Sequence, residues 1–221
     1  MEFKVVEKFV SINGEGRRSG QLAVFIRFAG CNLKCSYCDT MWANEKNVSY
    51  ELMSSHDIYD YIKSTNVTNV TLTGGEPLLQ DGIIHLLELL AKDTTLHVEI
   101  ETNGSVSLEP FIALENSPSF TMDYKLPSSL MEDNMLLSNF NNLAKKDTLK
   151  FVAGSLLDLE KAYELIIKYN LTHKTNVYIS PVYGNIQLEK IVDFMINKKI
   201  NGVQLQLQLH KIIWDPNKRG V

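Results

Sequence analysis

After one weakly alternating N-terminal segment, Lys4 to Ile12, which reads as an edge strand, the chain settles into a repeated unit of short apolar strand, loop and amphipathic helix. Leu22 to Phe28 is a near-continuous apolar run, the pattern of a strand buried on both faces. Further strands are expected at Val70–Thr73, Leu96–Glu101, Phe120–Asp123, Thr148–Val152, Asn176–Ile179 and Val203–Leu209. Between them lie helical patterns at Asp81–Ala91, Leu156–Tyr169 and Gln187–Asn197. An earlier helix carries Ile58, Tyr61 and Ile62 on one face; its N-cap falls within Ser54–Asp57, or earlier if Ser49 and Leu52 open it. Strands alternating with helices argue for parallel pairing through right-handed crossovers. With 221 residues, the chain suits an incomplete (β/α) barrel of about six parallel strands better than the full eightfold one, which needs ~250 residues. No linker or low-complexity stretch divides it, so a single domain over residues 1–221 is expected.

Composition narrows the class. The chain is 44% apolar and 22% charged, which is ordinary for a globular protein and excludes extended disorder. Lys and Arg number 22 against 26 Asp and Glu, a net charge of −4 that argues against a nucleic-acid surface. Neither a membrane-length apolar run nor a secretory leader is present, so the expected address is the cytoplasm.

All three cysteines, Cys31, Cys35 and Cys38, fall in one loop of residues 29–47 after the Leu22 strand. Thiols so clustered, in a chain long enough to be stable without disulfides, point to metal or redox chemistry. Parallel α/β folds collect ligands at the carboxyl ends of their strands. Gly74-Gly75-Glu76-Pro77, Thr102-Asn103-Gly104 and Asp123-Tyr124-Lys125 all fall at such ends, on the same rim as the cysteines. Zinc would need a fourth ligand such as His56 or His210, whereas three thiolates can hold three irons of a cubane and leave the fourth open.

The spacing Cys-x3-Cys-x2-Cys, with Tyr37 before the last cysteine, and the Gly-Gly-Glu-Pro turn resemble the radical S-adenosylmethionine (radical SAM) superfamily. Asn13-Gly14-Glu15-Gly16, Arg27, Cys38-Asp39-Thr40, Asp123 to Ser129 and His210-Lys211 narrow the resemblance to the 7-carboxy-7-deazaguanine synthase family, over nearly the whole chain. That resemblance implies a [4Fe–4S] cluster on Cys31, Cys35 and Cys38, whose open iron binds S-adenosylmethionine and yields a 5′-deoxyadenosyl radical. It also implies contacts to S-adenosylmethionine from Tyr37, Cys38, Asp39, Gly75, Asp123, Tyr124 and Lys125, and a Mg²⁺ on Thr40. The implied substrate is 6-carboxy-5,6,7,8-tetrahydropterin, met by Ile12, Asn13, Gly14, Arg27 and Thr73. Its ring contracts with loss of ammonia, a lyase reaction on the way to queuosine and related 7-deazapurines, with no group beyond the cofactors expected to be catalytic. A flavodoxin-type reductant and a homodimer complete the expectation.

The residues themselves agree with these roles. Arg27 offers the planar fork that suits a carboxylate, Thr40 an oxygen suited to a hard cation, and Glu76 an acceptor for an ammonium. Each has an ordinary reading too: Arg27 as a strand-end salt bridge, Thr40 as a loop cap, Lys125 as a solvated charge. The nearest alternative is a glycyl-radical activating enzyme, which shares the cysteine spacing and the Gly-Gly-Glu-Pro turn but has less reason for Asn13 to Gly16, Arg27 and Thr40 together. Members of the family often have Gln where this chain has Asn13. A main-chain contact there would survive that change, and a side-chain contact would be shortened.

Overall fold

The alternation is realised as one nine-stranded sheet, seen in a computed structural model that describes residues 1–221. The strands are β1 (Glu2–Ile12), β2 (Leu22–Phe28), β3 (Glu51–Ser54), β4 (Asn69–Gly74), β5 (His97–Thr102), β6 (Ser119–Tyr124), β7 (Thr148–Ala153), β8 (Asn176–Pro181) and β9 (Val203–Leu205). Their spatial order is β3-β1-β2-β4-β5-β6-β7-β8-β9. From β2 through β9 every neighbour pair is parallel, giving seven parallel strands; β1 runs antiparallel to both β2 and β3. No hydrogen bonds join β3 to β9, so the barrel is incomplete, as the length required.

The helices are α1 (Ser55–Ser64), α2 (Ile83–Ala91), α3 (Glu109–Ile112), α4 (Leu156–Lys168), α5 (Leu171–Lys174), α6 (Leu188–Lys198) and α7 (Leu209–Ile213). Ser54 caps α1 through its side chain, with Asp57 returning the bond to complete a capping box. The earlier start at Ser49 is excluded because Glu51 to Ser54 pairs with β1 instead. That pairing also corrects the N-terminal strand: β1 is an inner strand, with β3 outside it.

Strand side chains alternate between two environments. Val24, Ile26 and Phe28 of β2, Val70 and Leu72 of β4, and Phe120, Met122 and Tyr124 of β6 join Ile58, Leu86, Leu159 and Phe194 of the helices in one apolar core. The opposite face carries Arg27, Thr71, Thr73, Glu99, Glu101, Thr121, Asp123 and Lys150. One face buries the helices and the other lines a polar hollow.

The loop between β1 and β2 closes the floor of that hollow. Asn13 Oδ1 accepts from Thr71 Oγ1 at 2.9 Å. The Gly16 amide donates to Gln206 Oε1 at 2.8 Å, while Gln206 Nε2 donates to the Gly16 carbonyl at 3.0 Å. The final strand is therefore shorter than expected. It ends at Leu205, because Gln206 turns to clasp the loop, and Leu209 begins α7 with its amide donating to the Gly14 carbonyl. His210 packs against Gly14 so closely that a β-carbon there would overlap its ring.

Candidate functional site

The cysteine loop is anchored to three neighbouring strand ends. At β4, the Gly75 amide donates to the Phe28 carbonyl and the Glu76 amide to the Gly30 carbonyl. A β-carbon at Gly75 would overlap the Gly30 carbonyl, so only glycine allows this approach. At β5, Asn32 Nδ2 donates to Ser105 Oγ at 2.8 Å, and Asn103 Nδ2 reaches Cys31 Sγ at 3.6 Å. At β6, the Ser36 amide and hydroxyl donate to the carbonyls of Ser129 and Ser128.

Glu76 is fully buried, and all three of its carboxylate partners are donors: the Leu78 amide, the Thr102 hydroxyl and the Asn103 amide. It ties the turn after β4 to the end of β5. Within the chain its carboxylate is thus committed to structural donors, with one acceptor position of Oε2 left over. Burial raises its pKa, and the three donors work against that rise.

The three thiols are free. No three His, Cys, Asp or Glu side chains converge on a single ion. A cubane does not ask for that, since each thiolate binds its own iron. Burial pushes the Cys35 and Cys38 thiols up, so loading a thiolate-held group here releases protons.

A chain of alternating charge crosses the hollow. Glu15 Oε2 meets Lys150 Nζ at 3.0 Å; Lys150 lies 3.6 Å from Asp123 Oδ2; and that oxygen meets Lys125 Nζ at 3.0 Å. Burial would lower both lysines, but Asp123 and, for Lys150, Glu15 raise them on balance. Lys125 is therefore part of the hollow's wall, not a solvated charge.

Residues 25–195 match the Radical SAM superfamily. A curated relative named 7-carboxy-7-deazaguanine synthase, from Clostridium acetobutylicum, is 68% identical over 221 residues, covering 100% of each chain. The chain belongs to the 7-carboxy-7-deazaguanine synthase family. A member from Methanospirillum hungatei is 38% identical over 96% of this chain and 86% of its own. The crystal structure of QueE from Escherichia coli shares the fold, with a TM-score of 0.75 at 23% identity over 94% of each chain.

This family works with a [4Fe–4S] cluster and S-adenosylmethionine. The donor set fits: three unpaired thiols sit on one anchored loop, beside a glycine turn that leaves no room for side chains.

The family's remaining expected positions are spread around the same hollow. Arg27 donates through Nε to Glu7 Oε2 at 2.9 Å, the ordinary salt bridge, while its terminal nitrogens make no hydrogen bond within the chain. Glu7 thus orients the fork without filling it. Thr73 donates to Glu101 Oε2 at 2.7 Å. Ile12 ends β1 opposite Leu22. Both main-chain polar groups of Asn13 are paired with the loop, whereas its buried Nδ2 has no acceptor. The shortened side chain is what Asn13 has to offer.

Tyr37 Oη reaches the Val152 carbonyl at 3.5 Å, and burial holds its hydroxyl protonated well above the usual range. Burial alone would raise Asp39, but Lys211 at 2.8 Å pulls its carboxyl down to about 2. Thr40 precedes the short 3-10 turn Met41–Asn44 without capping it, and its hydroxyl donates to Asp39 Oδ1 at 3.0 Å. The loop-cap reading of Thr40 is therefore excluded. The Tyr124 side chain stacks on Phe140 in the core, which leaves its main chain to serve a ligand.

Sequence reasoning missed Lys150 and did not weigh Gln206. A lysine flanked by Leu149 and the apolar Phe151-Val152-Ala153, in a strand buried at every position, was the signal for the first. Nothing local distinguishes Gln206 from Gln204 or Gln208.

Proposed function

We propose that this chain converts 6-carboxy-5,6,7,8-tetrahydropterin to 7-carboxy-7-deazaguanine with loss of ammonia, as the name of its 68% identical relative implies. The observation that carries the reading is Arg27, whose guanidinium is fixed at one edge by Glu7 and left open at the other inside a polar hollow below the cysteine loop. A carboxylate is the group that such a fork takes in two bonds.

In this reading the cluster and S-adenosylmethionine, when bound, supply a carbon-centred radical able to remove a hydrogen atom from the substrate. The chain's own residues position and shield. Arg27 holds the substrate carboxylate. Asn13 Nδ2 donates to a ring acceptor, and the Thr73–Glu101 pair presents a polar wall between them. The Gly16–Gln206 clasp and α7 close the floor and the open flank against water. Gly75 lets the adjoining backbone approach the S-adenosylmethionine methionine end, while Tyr37, Asp39, Asp123 and Lys125 surround the remainder. Incubating the reconstituted protein anaerobically with the carboxytetrahydropterin, S-adenosylmethionine and a reductant yields the deazaguanine acid; no product overturns the reading. A flavodoxin-type reductant, a homodimer and a cytoplasmic address belong to the proposal on family resemblance; no helix is long and apolar enough to cross a membrane.

Thr40 completes the proposal as an oxygen ligand of Mg²⁺. Its proton is directed at Asp39, which leaves the oxygen lone pairs for a cation. Mg²⁺ gives up water reluctantly and prefers sites completed by substrate oxygen. Thr40→Val raises the Mg²⁺ concentration needed for turnover about tenfold and leaves S-adenosylmethionine affinity unchanged, whereas Thr40→Ser stays near the parent. An unchanged Mg²⁺ titration in Thr40→Val excludes Thr40 as a ligand.

A further inference from the structure

Lys150 stands at the middle of the charge chain, and the two carboxylates beside it share a peculiarity. Glu15 gives Oε2 to Lys150 and keeps Oε1 buried without a donor; Asp123 gives Oδ2 and keeps Oδ1 buried without a donor. A buried carboxylate oxygen with no partner is costly, and native structures rarely leave one without a purpose. Here there are two, both paired with one ammonium. Glu15 belongs to the floor loop, next to Asn13 and Gly14. Asp123 belongs to the rim of β6, next to Lys125 and the cysteine loop.

No other side chain bridges these two regions. Glu15 has a second donor in Gln208 Nε2 at 3.3 Å, itself from the C-terminal segment, and Asp123 has Lys125. Lys150 is the sole group bonded to both. Its strand, β7, is buried along its length, so the ammonium sits on a rigid base.

We infer that Lys150 is a positioning residue that couples the pterin site to the S-adenosylmethionine site, by fixing Glu15 and Asp123 so that each turns its free oxygen toward its own ligand. The inference rests on the proposed function. Filling either site locks one carboxylate against Lys150, which restrains the ammonium and so prepares the other carboxylate. Coupling of this kind is reciprocal: each ligand raises the other's affinity by the same factor.

The test measures dissociation constants by calorimetry on the cluster-loaded protein, for S-adenosylmethionine and for 6-carboxytetrahydropterin, each alone and with the other present. In the parent, each ligand tightens the other by roughly tenfold, about 1.4 kcal/mol of coupling. In Lys150→Met the two constants each rise and the coupling factor falls toward one. Glu15→Gln keeps the buried cation beside Asp123, which guards against a Lys150 variant that does not fold. It loses the coupling and weakens pterin binding, while S-adenosylmethionine alone binds as in the parent. A coupling factor that survives in a folded Lys150→Met, or in Glu15→Gln, overturns the inference. A parent that binds no pterin overturns the proposed function instead, so the two failures are distinct.

Discussion

Cys31→Ala, Cys35→Ala and Cys38→Ala each abolish both the cluster and reductive cleavage of S-adenosylmethionine. The chain has three cysteines in all, so no fourth thiol can replace a lost one. The loop itself remains in place, since its anchors at Gly30, Asn32 and Ser36 are main-chain and side-chain hydrogen bonds that do not involve the metal. Iron and sulfide analysis after anaerobic reconstitution, the visible absorbance of the cluster, and the yield of 5′-deoxyadenosine read the outcome. A variant with four irons and parental cleavage shows that the cysteine in question is not a ligand.

The second large effect is at Glu76. Its three partners are all donors, and a carboxylate is the side chain with acceptors enough for them. Glu76→Gln keeps the shape but replaces one acceptor oxygen with an amide nitrogen, which then faces a donor in a fully buried place. Leaving such groups unpaired costs about 1–3 kcal/mol each. Glu76→Gln therefore loses about 2 kcal/mol of stability. Glu76→Ala, which orphans three donors and opens a void, loses more and also frees the Gly75 turn from the end of β5. Urea unfolding gives the first figure, and the S-adenosylmethionine dissociation constant gives the second effect. A Glu76→Gln protein as stable as the parent shows that one of these bonds is dispensable.

The strand–helix alternation made the architecture legible from sequence, because short strands with one apolar face recur between amphipathic helices that cover that face. The Ser54–Asp57 capping box was legible for a local reason: both of its bonds lie within one turn. The short β3 was not. Glu51 to Ser54 has four residues, half of them exposed, and becomes a strand only because β1 lies alongside. Tyr124 followed its motif to the rim, while the strand's own alternation sends its side chain into the core. Arg27 could be read as a carboxylate fork, but not that Glu7, across the β1–β2 pair, would occupy one edge of it. The charge chain escaped for the same reason. Glu15 and Lys150 are 135 positions apart, and no periodicity links them.

The clasp between Gly16 and Gln206 spans 190 positions, and this bears on the order of events during synthesis. The cysteine loop and the turns after β4, β5 and β6 can all form from the first two-thirds of the chain. The floor loop cannot be seated until the last strand and α7 have left the ribosome. Contacts of such long sequence separation close late, after shorter ones have reduced their entropic cost. The nascent protein thus acquires its thiol-bearing rim early and its substrate floor last.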